Sequence, residues 1–505
     1  MSSVSQLAEV LEHILNGEAN QLARETKFIQ RERALSGADW AQTLIFGWLE
    51  EPEISLDGLT QVAARREVKI SASGLNQRFT KSGANFLQRL LQRLTQVRLE
   101  TEAAAISLLK RFSAVLVEDS STITLPQELA DLWQGCGGSQ GTSPAAVKLY
   151  VRWNVLSGAL AGPELRDGRH ADSKSPFNEE EVPAGGLYLA DEGFFSLERL
   201  QTLSKRRERQ KRYYLMRLPA RTTGLLTRQG HRVQLRAILP RHVGQIVEMG
   251  VLVGVQARIW ARLIVERVPE EVAGQRRERL REEAADHGRA PSEEALYLAG
   301  WTILVSNVPR RLLMAEETLV VLTARWQIER LFRLWKEDGH LDEWRTRSRW
   351  RIVCEIYAKL CALLIQQWLI EAGCWHDPHR SLVKAAQVVR REANSLMIAL
   401  WEGGLQPAIG RLLRCMSSGC RIDKRQQFPS TAQRLEGVPM HKKRGAPQKS
   451  RHRDQKRRWP AGKGWDTAGY QRKSRPQKAS LHASGGGLQP PAGRSDRLAG
   501  LPAGG

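Results

Sequence analysis

Residues 319–338 read L-V-V-L-T-A-R-W-Q-I-E-R-L-F-R-L-W-K-E-D, and their periodicity predicts a helix with an unusual second face. At about 100° per residue, Val321, Ala324, Ile328, Leu331 and Trp335 make one apolar stripe, the side that packs on a sheet. Arg325, Glu329 and Lys336 make a second stripe, roughly 100° around from the first. That places the charges at the rim of the buried interface instead of on its wet back. The bland reading is a surface ion pair. Arg325 and Glu329 stand at i and i+4, in the weaker order, worth a few tenths of a kcal/mol. The rim position favours a site, because there the Glu329 carboxylate can face a crevice at the edge of a sheet.

Two other acids share one context. F-S-A-V-L-V-E-D (112–119) and G-L-Y-L-A-D-E-G (186–193) are apolar, strand-type runs, each ending in an acid, Asp119 and Asp191. Ligands of open sheets gather outside the strand ends, so two such acids can share a crevice. Either alone is better read as a turn or cap residue. Several carboxylates together repel unless a cation neutralises them, and oxygen donors are what Mg²⁺ takes. Further strands are expected at 146–155, 212–218, 233–239, 247–255, 257–268 and 298–309, with helices at 195–203, 270–284, 315–338, 350–370 and 380–415. Strands alternating with helices imply an α/β sheet.

The first hundred residues read as helical. Ser55 and Ser71 are suited to cap two short helices joined by a turn. Such a pair, carrying Arg65, Arg66, Lys69, Gln77 and Arg78, fits a DNA groove; a helical bundle with a solvated basic face fits as well.

Charge points the same way. Lys and Arg number 77 against 54 Asp and Glu, a net +23 in 505 residues, which suits a polyanionic partner. Residues 441–505 hold 16 of the cations and 3 of the acids, so part of the excess is a basic, low-complexity tail expected to be disordered. The start carries no signal-peptide pattern, and 352–370, interrupted by Glu355, Lys359, Gln366 and Gln367, reads as a buried helix and not a membrane span. Six cysteines in such a chain suit a reducing cytoplasm. Neither Cys374, His376 and His379 nor Cys415 and Cys420 has the spacing of a zinc site.

At this point the residues resemble a family. The pattern R-x-x-x-E-x-x-x-x-x-x-K with W-Q-I-E inside it, V-E-D-S-S-T-I-T-L-P (117–126), L-Y-L-A-D-E-G-F-F-S (187–196), Y-Y-L-M-R (213–217) and W-T-I-L-V-S-N-V-P (301–309) are similar to DDE transposases of bacterial insertion sequences. The resemblance is to the IS-four family, which includes hairpin-forming, Tn-five-like enzymes. It implies a ribonuclease-H-like α/β core with a β-rich insertion, an all-helical N-terminal domain and the basic tail. The divisions are 1–105 (helical, DNA-binding), 106–218 and 298–375 (core), 219–297 (insertion), 376–430 (helical) and 431–505 (tail). It further implies Asp119, Asp191 and Glu329 as ligands of two Mg²⁺ ions, with Mn²⁺ as a substitute. Arg325, Lys336 and Arg217 become DNA contacts, and Trp301 the residue that stacks beside a flipped base. The partners implied are transposon ends, target DNA and a second copy of the chain in the DNA complex. Where the family has Tyr three residues before the Arg, this chain has Leu322, which cannot hydrogen-bond a phosphate. Another ribonuclease-H-like nuclease, and a DNA-binding remnant without catalysis, stay open as alternatives.

Overall fold

The apolar runs before Asp119 and Asp191 become neighbouring parallel strands, β1 (Val115–Leu125) and β4 (Leu187–Ala190), as expected for residues buried on both faces. The computed structural model describes residues 4–31, 35–97, 99, 104, 106–137, 143–204, 210–286, 288–377, 379–422 and 434–436. The expected tail, apart from 434–436, therefore lies outside the described residues.

Around β1 and β4 stand β2 (Ala145–Asn154), β3 (Leu160–Asp167), β5 (Tyr213–Arg217), β6 (Leu225–Leu226), β7 (Ile246–Val253), β8 (Ile259–Arg267) and β9 (Trp301–Ser306). They form one mixed sheet in the order β3-β2-β1-β4-β5-β9-β8-β7-β6. β1, β4 and β5 run parallel, and every other pairing is antiparallel. The strands of the 219–297 segment do not build a sheet of their own. β8 pairs with β9, and β7 and β6 continue the same sheet outward.

Two sequence expectations change. β1 does not stop at Asp119 but runs on to Leu125, because S-S-T-I-T-L keeps a full antiparallel ladder with β2. And 233–239 is not a strand. Val233 closes a short return against Leu225, and Leu235–Ile238 then turns into a helical segment.

The N-terminal region contains α1 (Val4–Glu12), α2 (Ala19–Glu25), α3 (Gly37–Glu50), α4 (Leu56–Ala64), α5 (Ala72–Asn76) and α6 (Lys81–Gln96). Ser55 and Ser71 cap α4 and α5, accepting from the N–H groups of Gly58 and Gly74. Beyond β4 come α7 (Leu197–Ser204), α8 (Leu235–Ile238), α9 (Glu270–Asp286) and α10 (Glu293–Leu298). After β9 come α11 (Ala315–Leu322), α12 (Trp326–Arg333), α13 (Arg349–Cys374), α14 (Leu382–Glu402) and α15 (Leu405–Ser418). α13 is long and apolar enough to cross a membrane, yet its whole apolar window is buried, packed against α3, α6, α14 and α15. One core cluster accordingly joins the N-terminal helices, α11 to α15 and one face of the sheet. A second, smaller cluster lies on the other face, around Tyr150, Tyr188, Tyr214 and α7.

The stretch 315–338 is a helical rod of changing pitch. α11 passes through a 3₁₀ turn at Thr323–Arg325 into α12, which widens into a π-helical turn at Leu334–Asp338. Val321, Ala324, Ile328, Leu331 and Trp335 are all buried, so the stripe read from periodicity is the packed face.

Candidate active site

Register sets the floor of the site. Glu118 pairs with Ala190, and Ala190 with Met216. One residue further along the three parallel strands stand Asp119, Asp191 and Arg217. Strand alternation puts them on the same face as Val117, Leu189 and Leu215, whose cluster also takes in Ile328 and Leu331 of α12. Because β4 ends at Ala190 while β1 continues, a crevice opens beside the middle of β1.

The rod supplies the roof. The guanidinium of Arg325 lies 3.9 Å from a carboxylate oxygen of Asp119, 3.9 Å from one of Asp191 and 2.7 Å from one of Glu329. Three acids, 210 positions apart in the chain at the extremes (119 to 329), thus surround one cation. Arg217 approaches Asp191 from the other side at 3.8 Å. Asp119 is recessed, its side chain 18% exposed, whereas Asp191 and Glu329 are 43% and 39% exposed and open to solvent.

Electrostatics follow from this burial. Desolvation pushes the Asp119 carboxyl up to about 7; Arg325 and the Ser120 N–H oppose the shift, and Glu329 and Asp191 reinforce it. For Arg325, burial disfavours the charge, but Asp191, Glu329 and Asp119 outweigh it and hold the guanidinium above its ordinary value. Burial lowers Arg217, with Asp191 opposing and Arg325 adding to the fall. Burial, then the charge of Asp191, raises Glu192.

The donor set is carboxylate oxygen only, the hard set that suits a divalent cation such as Mg²⁺. Asp119 is raised first by burial and then by Glu329 and Asp191, so a further cation beside it would favour its carboxylate form. Both observations fit a metal. The oxygens are gathered around Arg325 more than around one another. The described His/Cys/Asp/Glu group whose ligand atoms all lie within 4.8 Å is a different one, Glu53, His340 and Glu343.

The remaining candidates fall into place unevenly. Lys336, in the π turn, donates to the Thr122 carbonyl at 2.8 Å, so it meets β1 three residues beyond Asp119. Trp301 begins β9, three residues from the Leu304 that pairs with Arg217. Its indole N–H donates to the Pro240 carbonyl at 2.9 Å, and its ring contacts the tilted ring of Tyr297 and the Arg267 guanidinium. Leu322 is buried in the core and offers the crevice no polar atom. In the N-terminal region Arg65, Lys69 and Gln77 are exposed and Arg78 is half-buried, with Arg65 paired to Glu50. Arg66 is a correction. It is 5% exposed and ion-paired with Asp39 at 3.0 Å, so it belongs to the bundle interior and not to a DNA-facing surface.

Two neighbours were not legible. One Asp172 oxygen accepts from Ser120 (2.8 Å), Tyr150 (3.1 Å) and Lys148 (3.2 Å), tethering the residue beside Asp119. Arg276 donates to the Trp301 carbonyl at 2.9 Å and to the Thr302 hydroxyl at 3.2 Å; burial, with Arg217 nearby, lowers it to about 10. Asp172 opens a single 3₁₀ turn that no sequence pattern announces, and Arg276 hides in a segment of charge that reads as a solvated helix.

Carboxylates brought together from within one central strand, from the end of its neighbour and from a helix packed over both suit metal-assisted phosphoryl transfer. Comparison with known proteins gives the family. The Transposase DDE domain family matches residues 110–365, and the chain belongs to it. The chain is 27% identical over 370 residues to the transposase for insertion sequence element IS231F of Bacillus thuringiensis subsp. israelensis, covering 68% of this chain and 75% of that one. It is 23% identical over 372 residues to the transposase for IS1151 of Clostridium perfringens, covering 70% and 78%. A solved piggyBac transposase synaptic complex with hairpin DNA aligns loosely, at a TM-score of 0.41 and 10% identity over 86% of this chain and 88% of that one. The protein is thus a DDE transposase of the IS-four family, an enzyme of DNA cleavage and strand transfer, and enzymes of this kind use divalent metal ions.

Proposed function

We propose that Asp119, Asp191 and Glu329 are the metal ligands of this transposase and that two Mg²⁺ ions, replaceable by Mn²⁺, bind there. The observation that carries the reading is the Arg325 guanidinium within 3.9 Å of all three carboxylates, from three separate elements. When bound, such a pair of ions would supply an activated oxygen nucleophile and stabilise the leaving 3′ oxygen. The protein's own groups do the rest. Glu329 on the rod and the two strand acids hold the ligand oxygens at the crevice. Arg325 and Arg217 neutralise the non-bridging oxygens of the phosphate being cut, and Lys336 binds the strand where it passes β1. Trp301 stacks on a base turned out of the end of the element. A hairpin on the element end is the intermediate we expect.

The order β3-β2-β1-β4-β5, with two antiparallel pairings followed by two parallel ones, supports a ribonuclease-H-like core. On that reading 106–218 and 298–375 are the core, 219–297 the insertion, 1–105 the end-reading region and 376–430 a helical C-terminal region. Arg65, Lys69, Gln77 and Arg78 are its base and phosphate contacts; Arg66 is not among them. Two ends must be paired, so the DNA complex contains two protomers, in the bacterial cytoplasm where the DNA lies.

The test is cleavage of a duplex carrying the terminal sequence of the element. Asp119→Asn, Asp191→Asn and Glu329→Gln should each abolish cutting while end binding persists. Binding without cutting in the wild type would make the chain a remnant, and unchanged cutting in the variants would remove these acids from the site.

A further inference from the structure

We propose that Glu53, His340 and Glu343 form a second divalent-cation site, of the zinc type, fastening the N-terminal helices to the segment that leaves the rod carrying Glu329. Glu53 lies in the turn between α3 and α4; His340 and Glu343 lie just past the π turn that ends at Asp338. The site shares no residue with the Asp119, Asp191 and Glu329 crevice.

Geometry carries the assignment. The Nδ1 of His340 is 3.2 Å from one oxygen of Glu53 and 3.1 Å from one oxygen of Glu343, and the three ligand atoms lie within 4.8 Å of one another. A tetrahedral ion with bonds of about 2.0–2.1 Å spaces its ligands roughly 3.3 Å apart. A ring nitrogen carries at most one hydrogen, yet two anionic oxygens converge on this one; a shared cation satisfies both. The surroundings prepare the donors. Arg345 takes the other oxygen of Glu53, leaving the first for the cluster. The buried Lys359 of α13 donates to the carbonyls of His340 and Glu343, both at 2.9 Å, and so holds the turn at both ends. Its own counter-charge is Glu355, at 2.8 Å. Outer contacts of this kind orient first ligands in metal sites. An imidazole with two carboxylates favours Zn²⁺ over Mg²⁺.

The consequence is mechanical. α3 and the rod's exit would be tied by one ion, so the end-reading helices and Glu329 would move together.

The experiment uses the full chain with Asp119→Asn, Asp191→Asn and Glu329→Gln, which removes competition from the other crevice. Equilibrium dialysis against Zn²⁺ alone, with thermal melting in Zn²⁺ and in chelator, gives two readouts that need no activity. We expect one zinc per chain more than in the same protein with His340→Gln, and a zinc-dependent rise in melting temperature that this change removes. In chelator the two proteins should melt together, which separates loss of a ligand from loss of the fold. Glu343→Gln, which leaves the ring, serves as the second variant and should give the same loss. Zinc content and zinc-dependent melting that neither substitution alters would overturn the proposal, as would no bound zinc at all.

Discussion

Replacing Arg325 by Ala should weaken the metal-free protein and make it more responsive to divalent cations. At 3.9 Å and an effective dielectric of about 20, one contact between unit charges is worth roughly 4 kcal/mol before desolvation. Arg325 makes two contacts at that distance and a closer one, with a side chain only 9% exposed. Desolvating the guanidinium cancels much of the gross attraction, and the exposure of Asp191 and Glu329 screens part of what is left. A net cost of about 2–3 kcal/mol is the expected balance. Three acids would then remain without their shared counter-charge. In a folded body of this size about 1 °C accompanies each kcal/mol, so the melting temperature in chelator should fall by about 2–3 °C. Mn²⁺ can take over the neutralisation and should raise the variant's melting temperature by more than the wild type's. Differential scanning fluorimetry in chelator and across a Mn²⁺ series reads both effects. An equal Mn²⁺ response in the two proteins would refute the idea that Arg325 balances these carboxylates.

Other perturbations give further expectations. The Asp119 carboxyl sits near 7 in the folded chain against 3.8 in the unfolded one; the folded state therefore holds more protons between those values, and metal-free stability should fall as pH rises through that window. Mn²⁺ needs the carboxylate, so its affinity should climb up to about tenfold per pH unit below 7 and level off above; a flat profile by calorimetry would count against the shift. Arg152→Met strands the fully buried Glu118, now bonded to it at 2.7 Å, and should cost about 3–5 kcal/mol. Adding Glu118→Gln should recover most of this in thermal melts; no recovery would mean that packing, not charge, was lost. Lys336→Ala should slow single-turnover cleavage about tenfold, or ~1.4 kcal/mol in the barrier, and an unchanged rate would remove Lys336 from the site.

How much was legible follows from what kind of interaction decided each feature. The packed face of the rod is local, so periodicity identified Val321 through Trp335, and Ser55 and Ser71 declared themselves as caps. The sheet position of Asp191 was readable because β4 is a short apolar run that stops at Ala190. The length of β1 was not, since its second half is held by pairing with β2 and not by its own hydrophobicity. Arg66 reads as a basic surface residue; only the fold brings Asp39 to it. Asp172 meets Ser120, and Glu53 meets His340 and Glu343, only across long stretches of chain, and no spacing in the sequence announces either meeting. The rim stripe of Arg325 and Glu329 shows the intermediate case. Local phase set which way the charges face, while the sheet register decided that two strand acids would meet them.

The most direct test is where Mn²⁺ binds. Anomalous scattering from crystals of the protein with DNA carrying the element's end, grown with Mn²⁺, locates the ion without reference to activity. Density bonded to oxygens of Asp119, Asp191 and Glu329 is the result expected. Mn²⁺ bound elsewhere, with these three side chains still closed on Arg325, would contradict the assignment.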